Sequence, residues 1–362
     1  MNVFQPNNHS KWKIDYRPVT EENALALKKV FLARYPSQAD NVFFIEQVAE
    51  IEANSNNFKI SVLKEESPVY FLLRRYPENR DISSVMGTHE VLRYLKEHNL
   101  KAPEIVKADS GEDIAAEAPY SYTLFKFLKA DHYRGTLEEL ESAAEEFGKM
   151  DSLLSRLPNK EKLEKMVAFP EKFLQLREFS VSVWKNIFEA AEKHYQNTHE
   201  EFDAKLLSLK DFISEAVGKT PSEIYGGLPK QIIHFDLHPH NLLTDGNELV
   251  AILDFDSLRH LERMRGVAFA MHRLARQHIV FSKPKDIKSA VDKAREIFLR
   301  SYQKTNVLTR EELDATAYFL RHESLSRLSY AMKDFYFNGN GAWKADLDKQ
   351  TAAIAEAGYF EK

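Results

Sequence analysis

The stretch His234-Phe235-Asp236-Leu237-His238-Pro239-His240-Asn241-Leu242-Leu243, followed after a turn by Ile252-Leu253-Asp254-Phe255-Asp256, decides how this chain is read. Two apolar runs between Gln231 and Leu253 flank Asp245-Gly246-Asn247, a composition that predicts a β-hairpin. With the turn centred on Gly246, Thr244 is expected to face Glu248 and Asn241 to lie near Ala251. Asp254 then falls at the same open end as the loop from Asp236 to Asn241. Four oxygen-bearing side chains (Asp236, Asn241, Asp254 and Asp256) can converge there, none with a cationic neighbour in sequence. Such a set suits Mg²⁺, a hard ion that takes one or two carboxylates and shares its remaining shell with water and phosphate oxygens. A carboxylate left off the metal can accept a proton from an attacking hydroxyl, which is the division of labour in phosphoryl transfer. Two other readings compete. His234, Asp236, His238 and His240 can be read as the transition-metal site of a hydrolase, but Pro239 spoils regular strand geometry and Asn241 and Asp254 are left unexplained. The same residues can also be read as a loop that satisfies its own backbone.

Working outward, 362 residues suffice for two or three domains and sizeable cores. Lys and Arg number 50 against 55 Asp and Glu, a net charge of −5 that argues against a nucleic-acid partner bound through a general phosphate-binding surface. A mean hydropathy of −0.46 and the lack of a long apolar run predict no transmembrane span. Residues 1–9 lack a signal-peptide pattern, so a cytoplasmic location is expected. Zero cysteines exclude disulfides, Cys-ligated zinc and thiol nucleophiles. Residues 20–35 read as a helix. Runs at 42–51, 58–63 and 68–76 read as an antiparallel meander, and 82–97 as a helix with Ile82, Val85, Met86, Leu92 and Leu95 inward. A further strand pair is expected before Pro119, and 122–128 as the last apolar strand. Beyond that the chain reads as helical apart from the hairpin, with capping boxes at Thr136-Leu137-Glu138-Glu139 and Thr309-Arg310-Glu311-Glu312.

His-x-Asp-x-x-x-x-Asn, then a hairpin and Ile-Leu-Asp-Phe-Asp, resembles the aminoglycoside phosphotransferase and choline kinase family, small-molecule relatives of the protein kinases. The resemblance spans residues 20–335 and implies an α+β, two-lobed protein-kinase-like fold. Residues 1–125 would form a β-rich, nucleotide-binding N-lobe, and residues 126–362 a mainly helical C-lobe for catalysis and substrate. It implies Asp236 as catalytic base, Asn241 and Asp254 as Mg²⁺ ligands with Asp256 as a further acidic residue at the metal, and His234 as support for the loop. His238 matches the second histidine of the family's His-x-Asp-x-His-x-x-Asn form, near phosphate or substrate. Arg74, at the end of Val69–Tyr76, resembles the base that contacts the ATP phosphates and aligns better than Arg75. Glu90 resembles the helix glutamate that pairs with it. Phe125 and Phe127 belong to the hinge segment expected to line the adenine slot.

Three departures stand out. The loop Ala53-Asn54-Ser55-Asn56-Asn57 has no glycine, so Asn54, Ser55 and Asn56 are expected to cover the nucleotide. Asp151 stands where many relatives carry Leu-His, and Gly266 where they carry an Asp that braces the catalytic loop. From 257 to 278, Arg259, Arg263, Arg265, Arg273 and Arg276 face a single Glu262, with His260, His272 and His278 nearby. A polycationic aminoglycoside is disfavoured there, whereas a neutral polyol, a sugar or an anionic acceptor fits. Phe335-Tyr336-Phe337 and Trp343 offer rings for a sugar face or a quaternary ammonium. The expected function is ATP- and Mg²⁺-dependent phosphorylation of a small hydroxyl-bearing acceptor, a sugar or amino-alcohol. The alternative is a catalytically weak, kinase-like scaffold.

Overall fold

A computed structural model describes residues 3–4, 14–38, 41–49, 56–78, 80–168, 171–221 and 226–361. Its first half is built on one antiparallel sheet. The strands are β1 (Asp15–Pro18), β2 (Asn41–Ala49), β3 (Asn57–Lys64), β4 (Ser67–Tyr76), β5 (Ile105–Val106), β6 (Ala115–Glu117) and β7 (Tyr120–Lys126). They run in the order β1-β2-β3-β4-β7-β5, with β6 also on β7. Alternation along the strands sorts the two faces. Phe58, Ile60, Val62, Phe71 and Leu73 pack on α1 (Glu21–Arg34), whose first turn is capped by Thr20 accepting from Asn23 N at 3.3 Å. The other face carries Leu72 and Arg74, which the register sets beside Phe125 and Thr123.

Helix α2 (Ile82–Glu97) follows, with Val85, Val91, Leu92 and Leu95 buried. Met86 is 56% exposed rather than inward. It lies about 100° round the helix from Val85, so one position of error in the face moves it to solvent. Val91, Leu92, Leu95 and Phe125 belong to the same core as the helices of the second half, which ties α2 and the sheet's last strand to that half.

The second half is chiefly helical. Its helices are α3 (Leu137–Leu154), α4 (Lys160–Met166), α5 (Glu171–Arg177), α6 (Val181–Thr198), α7 (Glu201–Ser208), α8 (Lys210–Gly218), α9 (Arg263–Ser282), α10 (Ile287–Tyr302), α11 (Arg310–Asp314), α12 (Thr316–Asn338) and α13 (Asp346–Glu356). α3 packs on the hairpin, α10 on α3 and α9, and α12 on α9 and α13. Both expected capping boxes form, at Thr136/Glu139 and Thr309/Glu312. The hairpin is β10 (Leu242–Asp245) and β11 (Glu248–Ile252). Its register differs by one residue at the tip from the expected one: Asp245, not Thr244, faces Glu248, and Leu243, not Asn241, faces Ala251. A two-residue turn, with Gly246 at φ +60°, matches strand twist better than a three-residue turn, and a bulge after Leu243 widens the shift to two residues at Ala251. Residues 230–234 are not part of the hairpin. They form β9 (Lys230–His234), which pairs with β12 (Leu258–Glu262), while β8 (Asp131–His132) adds a third strand to the hairpin. Among the described residues, no helix is long and apolar enough to cross a membrane.

Candidate active site

β9 delivers the chain to His234, and a short helical turn over Pro239–Asn241 returns it to β10. His234 is fully buried, with Nε2 2.8 Å from the Leu253 carbonyl and Nδ1 3.2 Å from Ser257 Oγ. Burial pushes its pKa down, so the neutral ring donates from Nε2 to Leu253. His234, expected as support for the loop, stands behind it. It clamps the strand end that carries Asp254, a positioning residue. Asn241 completes the clamp: its Nδ2 donates to the Asp236 carbonyl at 2.8 Å, and its own carbonyl accepts from Leu253 N at 2.8 Å. The amide nitrogen is thereby committed, and Oδ1 is the atom left for a cation. Asp254 itself is held at φ +58°, a left-handed conformation that side chains seldom adopt and that gathers at functional sites.

Arg74 reaches this group from β4, 2.9 Å from Asp256 and 3.5 Å from Asp254. Arg80 also meets Asp256 at 3.2 Å. Asp256, expected at the metal, is thus an anchor for two guanidiniums, which compete with any ion for its oxygens. Arg75 goes to the opposite side, over the rings of Phe58 and Tyr120 and against Asn56 Oδ1. Asn56 is therefore bound to Arg75, while Asn54 and Ser55 lie outside the described residues. Glu90 departs from its expected role. It pairs with Lys162 at 2.8 Å and Asn159, because it sits on the flank of α2 turned to the second half. The α2 residue facing the sheet is His89, buried, edge-on to Phe125 and 3.4 Å from Thr123 Oγ1. Phe125 is buried, and Phe127 packs beside Tyr70 and Tyr16, with Lys59 Nζ 5.4 Å above its ring.

Asp236 meets a residue that sequence reasoning missed. Arg327, from α12, donates to its Oδ1 at 3.2 Å, and His238 Nε2 lies 3.5 Å from Oδ2. Burial opposes ionisation, but the hydrogen bond from His238 and the Arg327 charge outweigh it and hold the carboxyl below the usual carboxylate range. Arg327 is itself held by Glu323 at 2.6 Å, and Glu323 also binds Arg177. Burial opposes the charge on Glu323 too, yet Arg177 and Arg327 bring its pKa down to about 2. The signal was present in sequence: Glu323 and Arg327 are one helical turn apart among Leu320, Leu325 and Leu328, a charged pair on a buried face.

The other departures also resolve. A Cβ on Gly266 would lie 3.2 Å from Ile233 Cδ1, so α9 packs directly on β9 where an aspartate has no room without movement. Bracing comes instead from His234 and the Arg327–Glu323 pair. Asp151 is fully buried against Tyr302, whose hydroxyl donates to it at 2.7 Å. Phe335 and Tyr336 pack around His194, with Lys344 Nζ 4.1 Å over Phe335, so the chain's own lysine sits where the sequence suggests a ligand cation.

The donor set fits a hard cation: Asn241 Oδ1 and the 40% exposed Asp254 carboxylate are oxygens at one loop junction. It does not fit a transition-metal hydrolase. Among the described residues, the one cluster of His and carboxylate atoms within 4.8 Å is His194, Glu200 and Asp203, and it is satisfied by Tyr336 and Lys344.

A family model described as "Phosphotransferase enzyme family" (APH) matches residues 48–264, which hold Arg74, Asp236, Asn241 and Asp254. The chain belongs to this family. Solved structures of phosphotransferases share the fold at low identity. A complex of the amicoumacin kinase hAmiN with AMP-PNP, Ca²⁺ and Ami is 15% identical, with 93% of each chain covered and a TM-score of 0.63. A microcompartment-associated aminopropanol kinase is 12% identical, covering 92% of this chain and 96% of its own, at 0.58. An ethanolamine kinase of Plasmodium vivax is 14% identical, covering 94% and 90%, at 0.54. In sequence, a 3-deoxy-D-manno-octulosonic acid kinase of Photobacterium profundum is 36% identical over 75 residues, 21% of this chain. The match spans 29% of that kinase's length. The phosphotransferase fold is therefore the two-part, protein-kinase-like arrangement described above.

Proposed function

We propose that the protein transfers the γ-phosphoryl group of ATP to a hydroxyl of a small molecule, with Asp236 as the base. The observation that carries this reading is the junction itself. A buried histidine and an asparagine lock Asp236, Asn241 and Asp254 into one loop pair, and the guanidinium of Arg74 faces it across the two halves. Mg²⁺ held by Asn241 and Asp254 would neutralise phosphate charge there. Arg74 steadies phosphate oxygens through a guanidinium that stays charged when desolvated. Asp236 Oδ accepts the proton of the acceptor hydroxyl as its oxygen bonds to the γ-phosphorus, and the bond to the bridging oxygen breaks to leave ADP. His238, next to Asp236, orients that carboxylate. Phe125 and Phe127 border the base slot.

The acceptor belongs to the sugar or amino-alcohol class, with no nucleic acid or membrane involved, and the cytoplasm supplies the nucleotide. The sugar arm gains from the likeness to the octulosonic acid kinase, the amino-alcohol arm from that to the ethanolamine and aminopropanol kinases. Asp236→Asn is expected to lower turnover by at least ~10²-fold while nucleotide still binds. ADP release at near-normal rate in that variant would overturn the assignment. Asp254→Ala is expected to weaken Mg²⁺-dependent nucleotide affinity instead, read by titration calorimetry, and an unchanged affinity would count against Asp254 as a ligand. Nucleotide binding without any ADP release would favour the scaffold alternative.

A further inference from the structure

The arginines beyond Asp256 do not share one fate. Arg263 pairs with Glu312, Arg265 with Glu262, and Arg276 with Glu356, which also takes His272 at 2.8 Å. Among the described residues, Arg273, on the same helix α9, has no carboxylate within 4.0 Å, and neither does Lys349 of α13. Both positions are fixed by their elements. Lys349 lies seven residues before Glu356, two helical turns along one face of α13, and Glu356 is the residue by which α13 grips α9. Arg273 and Arg327 stand over the same ring: their guanidiniums lie 5.1 Å and 4.9 Å from the centroid of Phe269. Arg327 is in turn 3.2 Å from Asp236. Arg273, Arg327 and Lys349 thus form a cationic group beside the proposed base, against which only the Asp236 carboxylate and, through the helix, Asp346 and Glu356 are set among the described residues.

Leaving Arg273 and Lys349 beside Arg327 without a carboxylate of their own in a half-buried pocket costs stability. Burial, with Arg327 and Arg276 nearby, lowers the Arg273 pKa to about 10. Burial and Arg273 lower that of Lys349. Lys349 remains exposed, so the group is open to solutes.

We propose that Arg273 and Lys349, with Arg327, form an oxyanion subsite that binds an acidic group on the phosphoryl acceptor, making the substrate a hydroxy acid such as a sugar acid. This rests on the kinase reading, since it places the acid beside the hydroxyl delivered to Asp236. A carboxylate is held by the same guanidinium and ammonium donors that would repel an ammonium-bearing acceptor.

Binding is measured on the full chain by titration calorimetry with D-gluconate and D-glucuronate, their neutral counterparts D-sorbitol and D-glucose, and ethanolamine. The acids are expected to bind and the neutral and cationic compounds to bind at least ~10-fold more weakly, the worth of a charge-assisted hydrogen bond. Arg273→Gln and Lys349→Gln should each weaken the acids by about that factor, with Arg273→Lys retaining part of the affinity. Neutral or cationic compounds binding as well as the acids would overturn the subsite. So would acids that do not bind, or that bind the Gln variants as tightly as the parent. Parallel ADP-release assays of Asp236→Asn test the kinase reading alone, so failure of one is distinguishable from failure of the other.

Discussion

Asp236 has two side-chain partners, His238 and Arg327, and together they set its proton affinity. Arg327 donates to Oδ1 at 3.2 Å, and with His238 it holds the carboxyl ionised despite burial. Replacing Arg327 with Gln removes the cation and leaves a neutral side chain two bonds shorter, so the Asp236 pKa rises toward the ordinary aspartate range. In the parent, protonation of Asp236 does not limit activity above about pH 4.5. In Arg327→Gln the acidic limb of the kcat/KM profile is expected to move upward in pH into the measurable range. A variant that loses rate uniformly across about pH 4.5–8, with its limb unmoved, would mean that Arg327 supports the fold without tuning the base.

Packing between elements explains which of these features could be read from the chain. The loop–hairpin–Asp254 unit is local: twenty-one residues from His234 to Asp254 carry the clamp, the turn and the left-handed aspartate, so residue types and spacing sufficed to place Asp236, Asn241 and Asp254 together. The β3–β4 meander and α2 were legible for the same reason, because alternation and helical period are short-range signals. Contacts set by long-range packing were not. Arg327 lies ninety-one residues from Asp236, and Lys162 seventy-two from Glu90, so Glu90 was read by analogy while its actual partner stood on another element. Gly148 is a residue whose need only packing shows. A Cβ there would lie 2.3 Å from the Tyr302 carbonyl oxygen, at the crossing of α3 and α10. Gly148→Ala gains about 1 kcal/mol of helix propensity but must push the two helices apart. A net destabilisation of about 1–3 kcal/mol is expected from urea unfolding, the usual cost of overpacking. A midpoint equal to the parent's would show that the crossing can open freely.

Across the whole molecule, buried titratable groups pull stability in opposite directions with pH. Burial holds His89 and His322 neutral, with pKa values down to about 4, and Arg265, which donates to His322 at 2.9 Å, adds to the effect there. The unfolded chain takes up their protons near pH 6.5, so both contributions are present above that pH and are lost as pH falls toward 4. Asp151 runs the other way. Burial raises its pKa to about 7 against the opposing Tyr302 hydrogen bond, so the folded protein keeps a proton that the unfolded chain releases near 3.8. Its cost therefore grows as pH rises from about 4 to 7, at about 1.4 kcal/mol per unit of separation. Glu323, lowered from 4.5 to about 2, contributes stability that is complete above about pH 5 and is lost only as pH falls below that, so it leaves the balance above about pH 5 unchanged. Burial lowers His132, His234 and His272 in the same sense, so the histidine contributions outweigh the one from Asp151 and the parent's melting temperature rises from about pH 4.5 to 7. Asp151→Asn keeps an acceptor for the Tyr302 hydroxyl and deletes the opposing contribution. Its melting temperature should match the parent's near about pH 4.5 and exceed it by several degrees at about pH 7.5, steepening the whole curve. Parallel curves for the two proteins in a buffered thermal-melt series would show that Asp151 is ionised in the folded state throughout, and that the buried Tyr302 contact, not a retained proton, is what the core accommodates.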